Sequence, residues 1–323
     1  MKPDVETLII GAGISGIGAG IELLRRGNSS FALLEAANQL GGTWRDNTYP
    51  GVAVDIPSVS YCFSFETGFP WSHEYATGAE IQRYVRYCAE KYGVTGRIRC
   101  RSRVVRSEFD SACDSWTTHL DDGSVVTSRY LIAATGLFTR PTLPDIAGLD
   151  SFAGKTMHTA RWDHDYDLRS KRVAVIGTGA SAVQVVPEIA PLVTQLTVFQ
   201  RTPIWIAPKL DRPLSGTGLS LRRFSPIRKT LRFVSESGLE FLTFSIVNFR
   251  RFPFVVRLVQ RSLRVLMRRQ VNDPVTADEL VPDYGLGCKR PAISNRVVRC
   301  LGPMLSSIFR HSSQSPTHVA LTA

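Results

Sequence analysis

The chain has 323 residues, 43% of them hydrophobic, enough to bury a sizeable core and most often two domains. Met1 to Glu6 carries two acids and lacks the apolar stretch of a secretory signal, so a cytoplasmic location is expected, and six scattered cysteines without a Cys-x-x-Cys pair argue against a zinc site or a dithiol centre. The net charge of +11 is localised: residues 222–269 carry twelve Lys and Arg against Glu236 and Glu240, residues 289–323 carry five basic residues and no acid, and the remainder sums to 11 − 10 − 5 = −4.

Residues 5–10, Val-Glu-Thr-Leu-Ile-Ile, read as a buried strand running into Gly11-Ala-Gly13-Ile-Ser15-Gly16 and a helix to Arg26. Gly11 suits a tight turn, Gly13 lets a pyrophosphate approach the backbone, and Gly16 lets the helix pack on the strand. The helix N-terminus then supplies free amides and a positive dipole end to phosphate. A second strand, Phe31 to Leu34, ends at Glu35, placed to accept ribose hydroxyls.

Residues 41–57 are a shaped loop rich in glycine and proline, in which Trp44, Tyr49 and Asp55 supply an aromatic wall and a carboxylate. It reads equally as the cover of a flavin ring or as an ordinary loop with a buried Trp. A helix over 79–92, a strand meander from Arg97 through Thr127 and a strand from Tyr130 to Ala134 complete a first domain, 1–150. A linker, 151–163, contains His158, a residue more often a hydrogen-bonding hinge than a catalyst.

The strand 172–176 repeats the entry, and Gly177-Thr-Gly179-Ala-Ser181-Ala182 repeats the loop. The next strand, Gln195 to Phe199, leads to Gln200-Arg201-Thr202 instead of an acid. Arg201 there suits a 2′-phosphate, and thus NADP over NAD, unless it is simply a surface residue. The second nucleotide domain is expected to begin over 164–221, followed by a basic helical insertion over 222–280.

Within that insertion Arg257, Arg261, Arg264 and Arg268 recur at helical spacing opposite Val255, Val259, Leu263 and Leu266. A helix packed on the enzyme with a solvated basic face and a helix lying on an anionic membrane surface both fit. The apolar run Leu239 to Phe249 is too short to span a bilayer, and no reading motif supports nucleic-acid binding. Residues 281–295 return through a glycine-rich turn presenting Lys289 and Arg290, and 296–323 read as an irregular tail, Ser-rich from Ser306.

With these residues laid out, the chain resembles the flavin-dependent Baeyer-Villiger monooxygenases of the flavin-containing monooxygenase group over roughly residues 5–295. Phe152, Gly154, His158, Trp162 and Asp163 match the fingerprint Phe-x-Gly-x-x-x-His-x-x-x-Trp-[Pro/Asp]; Gly42, Trp44, Tyr49, Pro50, Gly51 and Asp55 match a second signature. The resemblance implies an α/β fold of two Rossmann-like domains, the FAD domain incomplete, with the helical insertion between. It implies FAD, NADPH, O2 and a small-molecule ketone or another soft oxidisable substrate, with oxygen insertion through a flavin C4a-peroxide.

It also implies roles. Arg290 and Asp55 would be catalytic, the cation and the carboxylate that orients it. Lys289 and Arg201 would grip the 2′-phosphate, and His158 would couple nucleotide binding to domain movement. The implied cofactor contacts extend to Ser15, Thr43, Val104, Ser181 and Thr202. Where the family's chain returns to complete the FAD sheet, Arg296 to Ala323 does not resemble the return. An N- or S-oxygenating flavin monooxygenase and a non-catalytic nucleotide-binding remnant are the alternatives; a disulfide reductase lacks its cysteine pair.

Overall fold

The computed structural model describes residues 3–215, 224–248, 250–304 and 319–322, with side chains through residue 300. Arg222, Arg223, Phe249 and the Ser-rich stretch 306–318, all singled out in the sequence, lie outside the described residues. The chain divides into two units: residues 1–47, 63–69 and 78–141 form the first, and 48–62, 70–77 and 142–323 the second.

The first unit is built on a six-stranded sheet of order β3-β2-β1-β6-β5-β4. β1 (Val5–Ile10) lies parallel to β2 (Phe31–Leu34) on one side and to β6 (Val125–Ala133) on the other, pairing Thr7 with both Phe31 and Tyr130. The short β3 (Ile98–Arg99) extends the parallel edge, while β4 (Val104–Asp110), β5 (Ser115–Leu120) and β6 form an antiparallel meander in which β6 joins the end of the expected meander at Thr127 to the strand expected separately from Tyr130. Two helices cover this sheet for simple reasons of pattern. α1 (Ile14–Arg25) buries Gly16, Ile17, Gly20 and Ile21, one stripe at helical spacing, and α3 (Gly78–Lys91) buries Ile81, Tyr84, Val85 and Cys88. The short α2 (Thr43–Asp46) lies in the loop after β2.

The second unit contains a four-stranded, all-parallel sheet of order β7-β12-β8-β9. β8 (Arg172–Ile176), with its three central residues buried, feeds α4 (Ala180–Ile189), and β9 (Gln195–Phe199) follows at the edge. The fingerprint stretch, expected as a linker, is part of this sheet: β7 (Lys155–His158) is its other edge, followed by a 3₁₀ turn Thr159–Arg161. The stretch expected as an irregular tail, 296–323, contains regular elements among its described residues. α8 (Val297–Met304) and β12 (Val319–Thr322) lie there, and β12 pairs with both β7 and β8. A Ser-rich approach hid a short apolar strand whose partners are distant in sequence.

The basic segment forms α5 (Ser225–Val247) and α6 (Pro253–Arg268), followed by α7 (Pro274–Leu280). α6 buries Val256, Leu263 and Met267 in the core around Val175, Val186 and Trp205. Of its four regularly spaced arginines, Arg264 lies over the Trp205 ring at 5.9 Å and Arg268 pairs with Asp278 at 2.6 Å, leaving Arg257 and Arg261 facing solvent. Among the described residues, no helix is long and apolar enough to cross a membrane, and no cluster of His, Cys, Asp and Glu is arranged to hold a metal.

Candidate functional site

The first glycine loop joins β1 to α1 under tight steric control. A Cβ on Gly16 would lie 1.9 Å from the Gly11 carbonyl oxygen, and one on Gly11 2.4 Å from the Ala134 carbonyl oxygen, so neither position admits a side chain. Gly13 caps α1 without any side-chain hydrogen bond, which leaves the helix's first amides for an anion. Ser15 is exposed in the first turn of α1, Thr43 is exposed next to Gly42, on which a Cβ would lie 2.9 Å from Gly13 Cα, and Trp44 is half-buried in α2.

Glu35, at the end of β2, is buried, and its carboxylate is anchored by the chain itself. Oε2 accepts from the Ala12 amide at 2.9 Å, while Oε1 accepts from the Ala37 amide at 2.9 Å and from Arg45 Nη1 at 2.9 Å. A carboxylate offers about four acceptor positions, so Oε2 retains one for a ribose hydroxyl. Arg45 is itself held by Asp46 through two bonds, at 2.8 and 2.9 Å. Val104, expected at the cofactor, packs its side chain against the cluster of Leu8, Leu34, Leu120 and Val126.

The loop read as one piece over 41–57 is divided: its first part, through Asn47, belongs to the first unit, and Thr48 onward to the second. In the second unit, Gly179 caps α4 without a side-chain bond, and nothing lies within 4 Å of a Cβ placed there, so the approach to the α4 amides is open. Arg201 is exposed just after β9. Its neighbour Thr202 accepts a hydrogen bond through its carbonyl from the Thr178 hydroxyl, at 3.4 Å, which brings this turn to the glycine loop. Ala182 is buried, as close packing of the third loop position requires.

The Lys289–Arg290 turn is placed by packing from three directions. Gly287 has φ +102°, and a Cβ on it would stand 2.4 Å from Ile246 Cγ2 of α5. Trp205, fully buried, donates from Nε1 to the Tyr284 carbonyl at 3.1 Å, and the Tyr284 hydroxyl donates to the Pro203 carbonyl at 2.8 Å. Immediately after the turn, β11 (Ala292–Ile293) pairs in parallel with β10 (Ile206–Ala207). Lys289 Nζ lies 5.2 Å from the centre of the Tyr284 ring.

Arg290 then donates from Nη2 to Asp55 Oδ2, so two residues far apart in sequence, named together from it, are in contact. The Arg290 side chain is 77% exposed and that of Asp55 33%, so this ion pair contributes only about 0–1 kcal/mol to stability. Its consequence is orientation of the guanidinium rather than cohesion. Beside Asp55, Tyr49 is buried and donates its hydroxyl to Gln184 Oε1 at 2.9 Å. Burial of the ring pushes its phenol up, against a hydrogen bond with Ser181, and the Asp55 charge pushes it further.

The fingerprint residues are structural in detail. His158 Nδ1 accepts from the Ala160 amide at 3.0 Å, capping the 3₁₀ turn, and burial, with the charge of Arg161 second, holds its imidazole below the usual range. Asp163 accepts from Lys155 Nζ at 2.6 Å, and that hydrogen bond is the main cause of its lowered carboxyl pKa. Trp162 packs against the core of the second unit, while Phe152 and Gly154 are half-buried ahead of β7.

Two strand, glycine-loop and helix units define the class. The chain belongs to the pyridine nucleotide-disulphide oxidoreductase family, whose description matches residues 8–225. Within that class it is similar to proteins named Baeyer-Villiger monooxygenase. One from Streptomyces coelicolor is 41% identical over 291 residues, 90% of this chain and 56% of that protein. One from Pseudomonas aeruginosa is 39% identical over 313 residues, 97% of this chain and 59% of that protein. The chain thus spans little more than half the length of these relatives. Among solved structures, OTEMO in complex with FAD and NADP superposes with a TM-score of 0.87 at 26% identity, covering 100% of this chain and 72% of that one. An open structure of cyclohexanone monooxygenase gives 0.85 at 25% identity, covering 100% and 73%.

Proposed function

We propose that this chain carries the nucleotide-binding and oxygen-insertion centre of an FAD- and NADPH-dependent monooxygenase of Baeyer-Villiger type, acting on a small ketone. The Arg290–Asp55 contact is the observation that supports this reading most directly. When bound, FAD supplies oxygen activation and NADPH the hydride. The residues present fit both groups: two uncapped helix N-termini at Gly13 and Gly179 suit pyrophosphates, and the spare acceptor on Glu35 Oε2 suits a ribose hydroxyl. Arg201 and Lys289 supply cations for a 2′-phosphate, Ser15 and Ser181 stand in the first turns of α1 and α4, and Thr43 and Trp44 stand in α2. Val104, with its side chain spent in packing, is left to act through its main chain.

Arg290 would stabilise negative charge developing at the reacting oxygen, and Asp55 would orient its guanidinium for that role. A fixed cation favours a charged nucleophile more than a mobile one because no reorganisation is needed when charge develops. His158, already engaged as a cap, positions the turn after β7 and is not assigned a proton transfer. Reconstitution with FAD, followed by ketone-dependent NADPH consumption and ester analysis, tests the reading. Arg290→Ala is expected to lower turnover about 100-fold, and Asp55→Asn to do so with a melting curve near that of the parent. Protein that takes up no flavin, or consumes NADPH only with amines or sulfides, removes the Baeyer-Villiger assignment.

We also infer contact with an anionic lipid surface. The outward side of α6 exposes Phe254 and Leu258 together with Arg257 and Arg261, the composition of an interfacial helix.

A further inference from the structure

Gln184, in the second turn of α4, reaches the loop that carries Asp55 through three hydrogen bonds. Its Oε1 accepts from the Tyr49 hydroxyl at 2.9 Å and from the Ala53 amide at 3.4 Å, while its Nε2 donates to the Ala53 carbonyl at 2.9 Å. One side chain therefore takes both backbone groups of Ala53, as a neighbouring strand would.

The loop has no slack between these anchors. Gly51 has φ +82°, and a Cβ there would lie 2.7 Å from the Gln184 carbonyl oxygen and 2.8 Å from Glu188 Cγ, so the loop backbone is pressed onto α4. On its other side Val54 donates to the Ala76 carbonyl at 3.0 Å. Asp55 is the next residue. The same helix also holds the chain beyond Arg290: Arg296 Nη1 bonds Glu188 Oε1 at 2.5 Å and Nη2 bonds the Pro187 carbonyl at 3.1 Å. Both members of the Asp55–Arg290 pair are thus referred to α4, whose N-terminus is the second glycine loop.

We propose that Gln184 is a positioning residue that couples nucleotide occupancy of the Gly177–Ala182 loop to the placement of Asp55 against Arg290. The coupling rests on the reading of that loop as a phosphate site. A phosphate held at the α4 N-terminus fixes the helix, a rigid element, and Gln184 carries that placement across its three bonds to Tyr49 and Ala53. Without the Gln184 side chain the loop keeps Val54 tied to Ala76, Gly51 packed on α4 and the Tyr49 hydrogen bond with Ser181, but loses the three bonds that set Ala53 and the Tyr49 hydroxyl.

The test uses the full chain and NADP+ as the probe, with binding measured by calorimetry and amide exchange of residues 48–57 measured by fragmentation mass spectrometry. In the parent, NADP+ is expected to slow the Ala53 amide on the order of tenfold, while the Val54 amide, bonded to Ala76, changes little. In Gln184→Ala the Ala53 amide exchanges faster and no longer responds, and NADP+ binds up to about tenfold more weakly, the reciprocal of the protection it confers in the parent. Gln184→Glu, which keeps the acceptor for Tyr49 and loses the donor to Ala53, restores part of the response and serves if the alanine variant does not fold. NADP+-dependent protection of Ala53 that persists in both variants overturns the coupling alone. No NADP+ binding to the parent chain overturns the nucleotide reading and the coupling with it.

Discussion

Arg45 sets its guanidinium against the carboxylate of Glu35, Nη1 to Oε1 at 2.9 Å, with the two side chains only 12% and 7% exposed. Removing one member of such a buried pair leaves the other uncompensated and costs about 3–5 kcal/mol, far more than an exposed pair. Arg45→Met is therefore expected to lower the unfolding free energy in urea by about 3 kcal/mol. A loss below about 1 kcal/mol would mean that solvent and the Ala12 and Ala37 amides already satisfy the Glu35 carboxylate.

Gly287 carries two separable constraints, its positive φ and the nearness of Ile246. Gly287→Ala is expected to cost about 1–3 kcal/mol in backbone strain alone and to lower turnover by displacing Arg290. Adding Ile246→Ala makes room for the methyl group but leaves φ unfavourable, so the double variant should recover turnover only in part. Full recovery would show that contact with Ile246 was the whole constraint.

His158 gives a pH dependence whose sign follows from its shift. The folded value lies below the unfolded one of about 6.5, so the folded state binds fewer protons, and stability is lost as pH falls through the unfolded value. Asn at this position offers an uncharged acceptor to the Ala160 amide. His158→Asn is expected to flatten the unfolding free energy between pH 8 and pH 5 (about one and a half units either side of the unfolded value). Superimposable pH curves for parent and variant would assign the slope to other groups.

The lipid contact separates the arginines of α6 by where they point. Neutralising Arg257 and Arg261 should reduce cosedimentation with phosphatidylserine vesicles by roughly tenfold or more, at about 1 kcal/mol per cation. Neutralising Arg264 and Arg268, which are engaged by Trp205 and Asp278, should leave it nearly unchanged. Equal effects of the two pairs would point to bulk charge instead of this face.

What the sequence disclosed was mostly local. The strand, glycine loop and helix sequence over residues 5–25 and again over 172–189 follows from period and turn chemistry within one short window. The Asp55–Arg290 contact became legible only through resemblance, since no spacing rule links a loop near residue 50 to a turn near residue 290. Gln184 does carry a signal in the sequence. It occupies the slot of Gly18 in the first repeat, where a Cβ would lie 2.8 Å from Phe63 Cε1, so a long polar side chain at that place marked a different neighbour. Nothing in the 41–57 stretch marks Arg45, because the burial that makes it matter depends on Glu35 from the end of β2. The seat of Val104 in an apolar cluster depends on Leu8, Leu34 and Leu120 arriving from three other strands.

The insertion of β12 between β7 and β8 has a consequence for the order of assembly. β7 and β8 are successive strands, yet they do not pair with each other, and the bonds between them run through a segment that follows α8. Closing this sheet therefore waits on a loop spanning α4 through α8, a non-local step whose entropy must be met before its hydrogen bonds form. During synthesis the edge of β8 stays open until that late segment emerges, and this interval is when the chain is most exposed to pairing with another copy.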